Sequence, residues 1–441
     1  MLSKAGVLLA TLLVFLSSTA QMPSGYWEGQ ITYQGRSWRI AAEFVQDSIN
    51  NQCAFFDFIE VGGYKRTFTC SQSGGRTHFE RQQPGGRVPL IFESRIAADI
   101  IEGTFSGIGI KGASFQLKPA RKFVFSSEDV LFQNDSVQLS GSLLIPAGEG
   151  PFEAVVITHG SGPDTRDLYY GIARQFLMEN IAVLIYDKRG NGRSTGGDYQ
   201  LAGFTDLAKD ALAGLHKLKG HPRIHPGRIG VFGHSQGGWV APTAAGISAD
   251  VAFVIVSAAS GVNATEQSVF HRANLMRKEG LDENVIAKAS HLRKTLNAAT
   301  ALCAVDSQKA KELIASIAEE LRVASKEPWF ESSALPAIPF PGCPGKSVME
   351  LLFREPSEIW SKVKVPVYAV WGQYDDVVPV AKYEIIENAL KKAGNRNVTI
   401  RIANDTDHSF LARTASGEWD FPRESKGYFS KMAVWIKNLY L

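Results

Sequence analysis

The stretch that most constrains this chain is residues 228–239, with the sequence RIGVFGHSQGGW. An apolar run typical of a buried strand leads to Ser235, and small residues typical of a helix follow it. Gly233 and Gly237 stand two positions before and after the serine, in the pattern G-x-S-x-G. At a sharp strand-to-helix turn these positions come too close for side chains, and the helix start directs free N–H groups at developing negative charge. The stretch therefore predicts a nucleophilic serine, with a glycine-rich turn of no catalytic role as the alternative.

A nucleophilic serine needs a general base, and few histidines follow Ser235. His271 and His291 fall in a segment with helical periodicity. His408 instead follows a predicted core strand, residues 398–402. His408 is therefore the predicted base.

The acid that orients the base is expected at the end of the preceding strand, residues 367–372. Asp375 is preferred there over its neighbour Asp376, although either carboxylate could instead cap a helix that begins near residue 380. Asp405 and Asp407 are weaker candidates, because they are too near His408 in sequence to reach its far nitrogen easily.

The alternation of strands and helices around these residues predicts an α/β fold for residues 122–441. We expect a mostly parallel sheet that helices cover on both faces. A long insertion, residues 261–350, interrupts the alternation and is predicted to be largely helical. It contains three aromatic residues that are candidates for lining a substrate pocket: Trp329, Phe330 and Phe340.

Residues 22–120 differ in pattern, with short alternating runs separated by glycines and polar turns. This is typical of a small all-β sandwich or barrel. No catalytic constellation lies in it. We interpret it as an accessory module that binds substrate or narrows access to the site, or else as a packing or dimerisation domain.

The first 20 residues have the pattern of a secretory signal peptide: Lys4, an apolar run over residues 5–16, and Ser18-Thr19-Ala20 before Gln21. An N-terminal membrane anchor is the alternative. We therefore expect a secreted or periplasmic protein without a stable membrane span after cleavage.

Export would place the four cysteines in an oxidising compartment, where disulfides persist. Proximity in sequence favours Cys53–Cys70 and Cys303–Cys343 among the three pairings that four cysteines allow. None of them has metal-ligand spacing, so no metal site is predicted. The net charge is +3 with both signs interleaved, which argues against a nucleic-acid partner.

Several motifs together resemble the α/β-hydrolase superfamily, in particular its bacterial esterase and serine-aminopeptidase branch, which includes secreted esterases with an extra N-terminal β domain. The motifs occur in the expected order and span the second domain: HGSGP at 159–163, D-x-R-G-x-G-x-S at 187–194, GHS-x-GG at 233–238, G-x-x-D-x-x-VP at 372–379, and DH at 407–408.

The resemblance implies a Ser235–His408–Asp375 triad and an oxyanion site formed by the backbone N–H groups of Ser161 and Gln236. Gly162 is an alternative to Ser161, because the register of this loop is not fixed by sequence. His159, Gly160 and Gly162 would lie at the substrate pocket. The resemblance also implies that the helical insertion is a lid, and that neither cofactor nor metal is required.

The expected activity is hydrolysis of a small carboxylic ester through an acyl-serine intermediate. The first alternative is an aminopeptidase or amidase on short peptides, which needs a carboxylate to hold the substrate's free ammonium. Acidic residues of the insertion could supply it: Glu319, Glu320, Glu327 and Glu331. A further alternative is a non-catalytic binding protein that uses the β domain. A homo-oligomer is left open.

Overall fold

The computed structural model describes residues 22–45, 52–59, 63–83, 88–97, 99–107, 109–303, 305–336, 343–413, 419–424 and 428–441. They form two compact units. The first contains the described residues up to 122 except those of 58–64, which belong with residues 123–441 in the second. The predicted signal peptide and Phe340 lie outside the described residues.

The first unit is a closed eight-stranded barrel in which strands adjacent in sequence are adjacent in the sheet. β1 closes the barrel by pairing antiparallel with β8. Of the two predicted architectures, a sandwich or a barrel, the structure has the barrel. Its strands are β1 (Gly25–Tyr33), β2 (Arg36–Phe44), β3 (Gln52–Phe58), β4 (Gly63–Ser73), β5 (Arg76–Arg81), β6 (Leu90–Ile96), β7 (Ile101–Gly107) and β8 (Ile110–Pro119).

Aromatic side chains fill the barrel, because alternate residues of each strand point inward. Phe92 is fully buried at the centre of this core. Its ring stacks on Phe56 at 4.4 Å between centroids and meets Phe105 and Phe115 at 4.8 and 4.9 Å. The disulfide Cys53–Cys70 joins β3 to β4.

The second unit is built on an eight-stranded sheet with the order β16-β15-β14-β13-β11-β12-β10-β9. The neighbouring strands from β12 to β16 are parallel, whereas β10 is antiparallel to both β9 and β12. The strands are β9 (Phe125–Asn134), β10 (Val137–Pro146), β11 (Phe152–Thr158), β12 (Ala182–Tyr186), β13 (Ile224–His234), β14 (Val254–Ser257), β15 (Val367–Gly372) and β16 (Val398–Ala403).

Helices cover both faces of this sheet, as predicted. Val155 and Val156 are consecutive on β11 but belong to different hydrophobic clusters, one on each face. One cluster includes residues of α2 (Phe204–Lys219), α3 (Gly237–Ile247), α9 (Pro356–Trp360) and α10 (Tyr383–Lys392). The other includes residues of α1 (Tyr170–Met178) and α11 (Tyr428–Asn438). A small hairpin, β17 (Leu411–Arg413) and β18 (Trp419–Glu424), precedes α11.

Between β14 and β15 the chain forms the predicted helical insertion. Its helices are α4 (Ala264–Lys278), α5 (Glu283–Leu302), α6 (Ser307–Ala324), α7 (Phe330–Ser333) and α8 (Lys346–Phe353). Helices α4, α5 and α6 share a hydrophobic core of their own, which contains Leu292, Ile317 and Leu321. The second predicted disulfide, Cys303–Cys343, is present and follows α5. No helix within the described ranges is long and apolar enough to cross a membrane.

We predict that Phe92→Ala loosens the barrel selectively. Removing a fully buried phenylalanine costs about 3–5 kcal/mol, through lost burial and the cavity left behind. Hydrogen exchange followed by mass spectrometry should show faster exchange in peptides from β5 to β8, with little change in peptides from β11 to β14. Val88→Ala is the control, because Val88 is 65% exposed. Equal exchange in wild type and Phe92→Ala would contradict the assigned core.

Candidate active site

Ser235 stands at a sharp turn between β13 and α3. Its backbone φ is 55°, a left-handed value that non-glycine residues rarely adopt. A Cβ at residue 233 would lie 2.0 Å from the carbonyl oxygen of Gly237, and one at residue 237 would lie 2.7 Å from Thr158 Oγ1. Both positions therefore require glycine, which gives a physical reason for the G-x-S-x-G spacing.

The structure brings Ser235, His408 and Asp375 together. His408 Nε2 lies 3.0 Å from Ser235 Oγ, and His408 Nδ1 lies 2.8 Å from Asp375 Oδ2. Because a carboxylate accepts, Nδ1 carries the hydrogen and Nε2 is free to accept from the serine hydroxyl. The second oxygen of Asp375 accepts from the N–H groups of Val377 and Val378, at 2.9 and 2.8 Å. These bonds fix a fully buried carboxylate against the imidazole.

The other candidate acids have different partners. Asp376 forms an ion pair with Lys278 on α4. Asp407 accepts from the N–H groups of Ser409 and Leu411 and pairs with Arg413, so it shapes the loop that carries His408.

The other histidines that follow Ser235 lie on the insertion. His271, on α4, faces the carbonyl oxygen of Asp376 at 3.4 Å. His291, on α5, is exposed. Among the described histidines after Ser235, His408 is thus the one that the fold brings to the Ser235 hydroxyl.

The predicted oxyanion loop follows β11, the strand beside β13. Thr158 pairs with Gly233, and a Cβ at residue 237 would lie 3.3 Å from the carbonyl oxygen of His159, so the loop begins against the serine turn. Gly160 N–H donates to the Tyr169 hydroxyl at 2.9 Å. In the part of the chain that is described, the N–H groups of Ser161 and Gln236 donate to no protein acceptor. Gly162 remains an alternative donor.

The side chain of His159, a predicted pocket residue, turns into the fold. It is buried between the rings of Tyr169 and Tyr186, and its Nε2 donates to the carbonyl oxygen of Tyr186 at 2.6 Å. Burial lowers the pKa of His159 to about 4, so the ring is neutral. His159 therefore helps to hold the base of the loop in place, and its contact with a substrate stays a prediction.

Trp329 and Phe330 lie at the insertion's own core, and their role in a substrate pocket stays a prediction. Trp329 is buried in the core shared by the helices of the insertion, and Phe330 packs against that core. Their rings face each other at 6.2 Å between centroids. Apolar residues at the end of a helical segment fit a local core as well as a pocket, and periodicity alone does not distinguish the two.

Two residues near the site were not singled out from the sequence. The ring of His234 lies 5.1 Å from that of His408, and its Nδ1 is 3.0 Å from Ser257 Oγ. Burial, followed by the charge of His408, lowers the pKa of His234 to about 3. It therefore packs beside His408 as a neutral ring. The second residue, Lys188, is a buried lysine beside the oxyanion loop.

We predict that Gly233→Ala distorts the serine turn. The added methyl group overlaps backbone that has little room to move, so unfolding should become easier by about 1–3 kcal/mol. Labelling of Ser235 by a fluorophosphonate should slow at the same time. Gly227→Ala is the matched control, since its Cβ would come no closer than 3.6 Å to its nearest neighbour, His225. If Gly233→Ala were labelled as fast as wild type and had the same free energy of unfolding, the close approach of residue 233 to Gly237 would be contradicted.

Comparisons with known proteins agree with this fold. A family model described as "Serine aminopeptidase, S33" matches residues 149–329, and the dienelactone hydrolase family matches residues 336–438. The chain is 25% identical to esterase EstD of Thermotoga maritima over 392 residues, which cover 85% of this chain and 82% of that protein.

A second relative is the quorum-quenching protein AidA of Acinetobacter baumannii, 32% identical over 110 residues, or 25% of this chain and 36% of that protein. A third is the thiohydrolase apmlB of Arthrinium phaeospermum, 32% identical over 130 residues, or 29% of this chain and 42% of that protein. With the sheet order, these likenesses support an α/β hydrolase of an esterase-like branch, and this chain carries an N-terminal barrel in addition.

Proposed function

We propose that the protein is a secreted serine esterase that cleaves small carboxylic esters through an acyl-serine intermediate on Ser235. The observation that carries this proposal is the continuous hydrogen-bonded path from Asp375 through His408 to Ser235, with heavy-atom distances of 2.8 and 3.0 Å. Such a path is the geometry that activates a serine hydroxyl. The 25% identity to an esterase over most of both chains supports the substrate class.

In the proposed reaction Ser235 Oγ attacks the ester carbonyl while His408 Nε2 takes the hydroxyl proton. The tetrahedral intermediate collapses, and His408 returns the proton to the leaving alcohol. A water molecule then gives a proton to His408 and attacks the acyl group. When this second intermediate collapses, His408 passes the proton to Ser235 Oγ, which releases the acid and restores the serine hydroxyl. Asp375 holds the Nδ1–H tautomer and stabilises the imidazolium in both steps.

The carbonyl oxygen becomes an oxyanion in both tetrahedral intermediates. We assign its donors to the backbone N–H groups of Gln236 and Ser161, which lie on the serine turn and on the neighbouring loop. Gln236 directly precedes α3, so the partial positive charge of the helix start adds to its N–H. Each donor of this kind contributes about 3 kcal/mol of transition-state stabilisation.

The helical insertion is proposed to act as a lid. Asn274 Nδ2, on α4, donates to the carbonyl oxygen of Asp376 at 2.9 Å, and Lys278 pairs with the carboxylate of the same residue. Because Asp376 is the neighbour of Asp375, the insertion is tied to the loop that carries the acid. A lid held there would limit the size of the acyl group.

An aminopeptidase remains the second candidate, because one matching family model has that description. The reaction needs a carboxylate near Ser235 to hold the substrate ammonium. The four glutamates considered for that role are exposed on the insertion, and Glu319 is paired with Arg322. Their positions give no reason to prefer a free amine in the substrate.

An assay of p-nitrophenyl esters of graded acyl length beside aminoacyl p-nitroanilides separates the two activities. We expect ester turnover that falls with increasing acyl length, little anilide cleavage, and no turnover by Ser235→Ala. Anilide cleavage that depends on a free amine would show that the activity is that of an aminopeptidase and not of an esterase. Equal turnover by the Ser235→Ala variant would reject Ser235 as the nucleophile.

The two neighbouring aspartates provide a matched test of the triad. Asp375→Asn should lower kcat on the order of 10³–10⁴-fold, because the amide favours the wrong imidazole tautomer. Asp376→Asn removes only a partly exposed ion pair, so its effect should stay within roughly fivefold. The reverse order of effects in steady-state kinetics would assign the acid to Asp376.

Export is proposed from the sequence of the first 20 residues, and both cysteine pairs fit an oxidising compartment. If the chain is expressed with its own leader in a bacterium that has two membranes, protein outside the cytoplasm should begin at Gln21. N-terminal mass spectrometry of the cell fractions measures this directly. Uncleaved protein that stays in the membrane fraction would favour an N-terminal anchor instead.

A further inference from the structure

Lys188 lies two residues after the end of β12, and its side chain is buried, with the residue 1% exposed. The ammonium donates to three oxygens: Gly160 O at 2.8 Å, Gly162 O at 3.2 Å and Gln236 Oε1 at 2.9 Å. No carboxylate among the described residues lies within ion-pair distance of it. Burying a lysine without a counter-ion is costly, so a site that keeps one needs a reason.

All three acceptor oxygens belong to the segments that supply the proposed oxyanion donors, which are the loop after β11 and the serine turn. The carbonyl of Gly160 and the N–H of Ser161 are parts of the same peptide unit. In a planar trans peptide the two groups point in opposite directions. When Lys188 holds the Gly160 oxygen on one side, the Ser161 N–H must point to the other.

The second donor is restrained through a side chain. Gln236 carries the other N–H, and its Oε1 is bound by the same ammonium. One cation thus connects the loop after β11 to the serine turn. A positive charge at a carbonyl oxygen also polarises the peptide and strengthens the N–H at its other end.

We propose that Lys188 is a positioning residue of the oxyanion site, whose ammonium ties the Gly160–Ser161 peptide to Gln236 so that both backbone N–H groups face the developing oxyanion. This inference rests on the proposed esterase function and deepens it. No hydrogen bond joins Lys188 to Ser235 or His408 among the described residues, so the effect must pass through the residues that it holds.

The glycines of the loop after β11 explain why a side chain from another segment is needed to restrain it. Gly160 and Gly162 have no side chains, and a chain of this composition is free to adopt many conformations. On one side, Gly160 N–H is held by the Tyr169 hydroxyl, which itself donates to Asp164 Oδ2 at 2.6 Å. Lys188 supplies the restraint on the carbonyl side of the same loop.

The charges around Lys188 set the pH range in which it acts. Burial lowers the pKa of Lys188 to about 8, against the attraction of the Asp164 carboxylate. His159 is neutral beside it, Asp210 lies across a small cavity, and the Tyr199 ring is 4.6 Å from Nζ. Above pH 8 the ammonium becomes an amine with two N–H donors for three acceptors, so the hydrogen bonds from Lys188 weaken as the pH rises.

Three variants test the proposal: Lys188→Met, Lys188→Arg and the control Lys437→Met. Lys437 also donates to two oxygens in the second unit, those of Glu153 and Asn180. With a short-chain p-nitrophenyl ester, Lys188→Met should lower kcat about 10–100-fold with KM nearly unchanged, because misplaced donors act in the transition state. Lys437→Met should retain wild-type kinetics, and Lys188→Arg should restore part of kcat.

Two further measurements distinguish positioning from general support of the fold. A trifluoromethyl ketone, which forms an oxyanion on the serine, should bind Lys188→Met more weakly by about the factor lost in kcat/KM. Wild-type kcat should fall above pH 8, whereas kcat of Lys188→Arg should not, because a guanidinium keeps its proton. Circular dichroism at each pH verifies that the fold persists.

The proposal would be overturned if Lys188→Met had the same kcat and the same ketone affinity as wild type. It would also be overturned if kcat decreased above pH 8 equally in Lys188→Arg and wild type. If Lys188→Met does not fold, the pH profiles of wild type and Lys188→Arg decide between these outcomes. Ser235→Ala keeps this test separate from the proposed function. An inactive Ser235→Ala beside a fully active Lys188→Met would remove only the role of Lys188.

Discussion

The serine turn is the constraint on which the rest of the second unit depends. Ser235 has a left-handed backbone, and the chain on either side of it approaches to distances that only glycine allows. A conformation of this kind costs about 1–3 kcal/mol and persists only where its surroundings enforce it. Here the surroundings are the parallel strands on both sides of β13 and the hydrogen bond from Ser235 N–H to Ser257 O.

The same sheet explains how Asp375 and His408 reach Ser235 from distant parts of the chain. Asp375 and His408 follow β15 and β16, and parallel strands present their carboxyl ends at one edge of the sheet. His408 and Ser235 are 173 positions apart in sequence and can therefore still be hydrogen-bonded. The free-energy cost of burying the Asp375 carboxylate is offset because its remaining oxygen accepts from two backbone N–H groups.

Sequence patterns predicted much of this arrangement because they reflect steric and topological limits. The two glycines around Ser235 follow from backbone overlap, and the α/β alternation follows from a sheet covered on both faces. The pairing of both disulfides was also predicted, and the structure confirms it. The close approach of Ser235, His408 and Asp375 matches the expected geometry, while their catalytic roles stay a prediction.

Other features depend on tertiary contacts that no local pattern contains. His159 stands in a glycine-rich loop typical of a pocket, yet its ring turns inward to a backbone carbonyl. Trp329 packs into the insertion's own core, a contact that its local sequence pattern does not show. The sequence pattern gives no sign of the role of Lys188, because a lysine in a loop is normally solvated. The fold shows it buried against three oxygens.

The central claim is that Ser235 becomes covalently acylated during turnover, and rapid acid quenching with a p-nitrophenyl ester tests it most directly. We expect an initial burst of nitrophenol when deacylation is slower than acylation, and an acyl mass on the peptide that contains Ser235. That mass should be absent from Ser235→Ala. Turnover without any acylated peptide, or an acyl group mapped to another residue, would contradict the account.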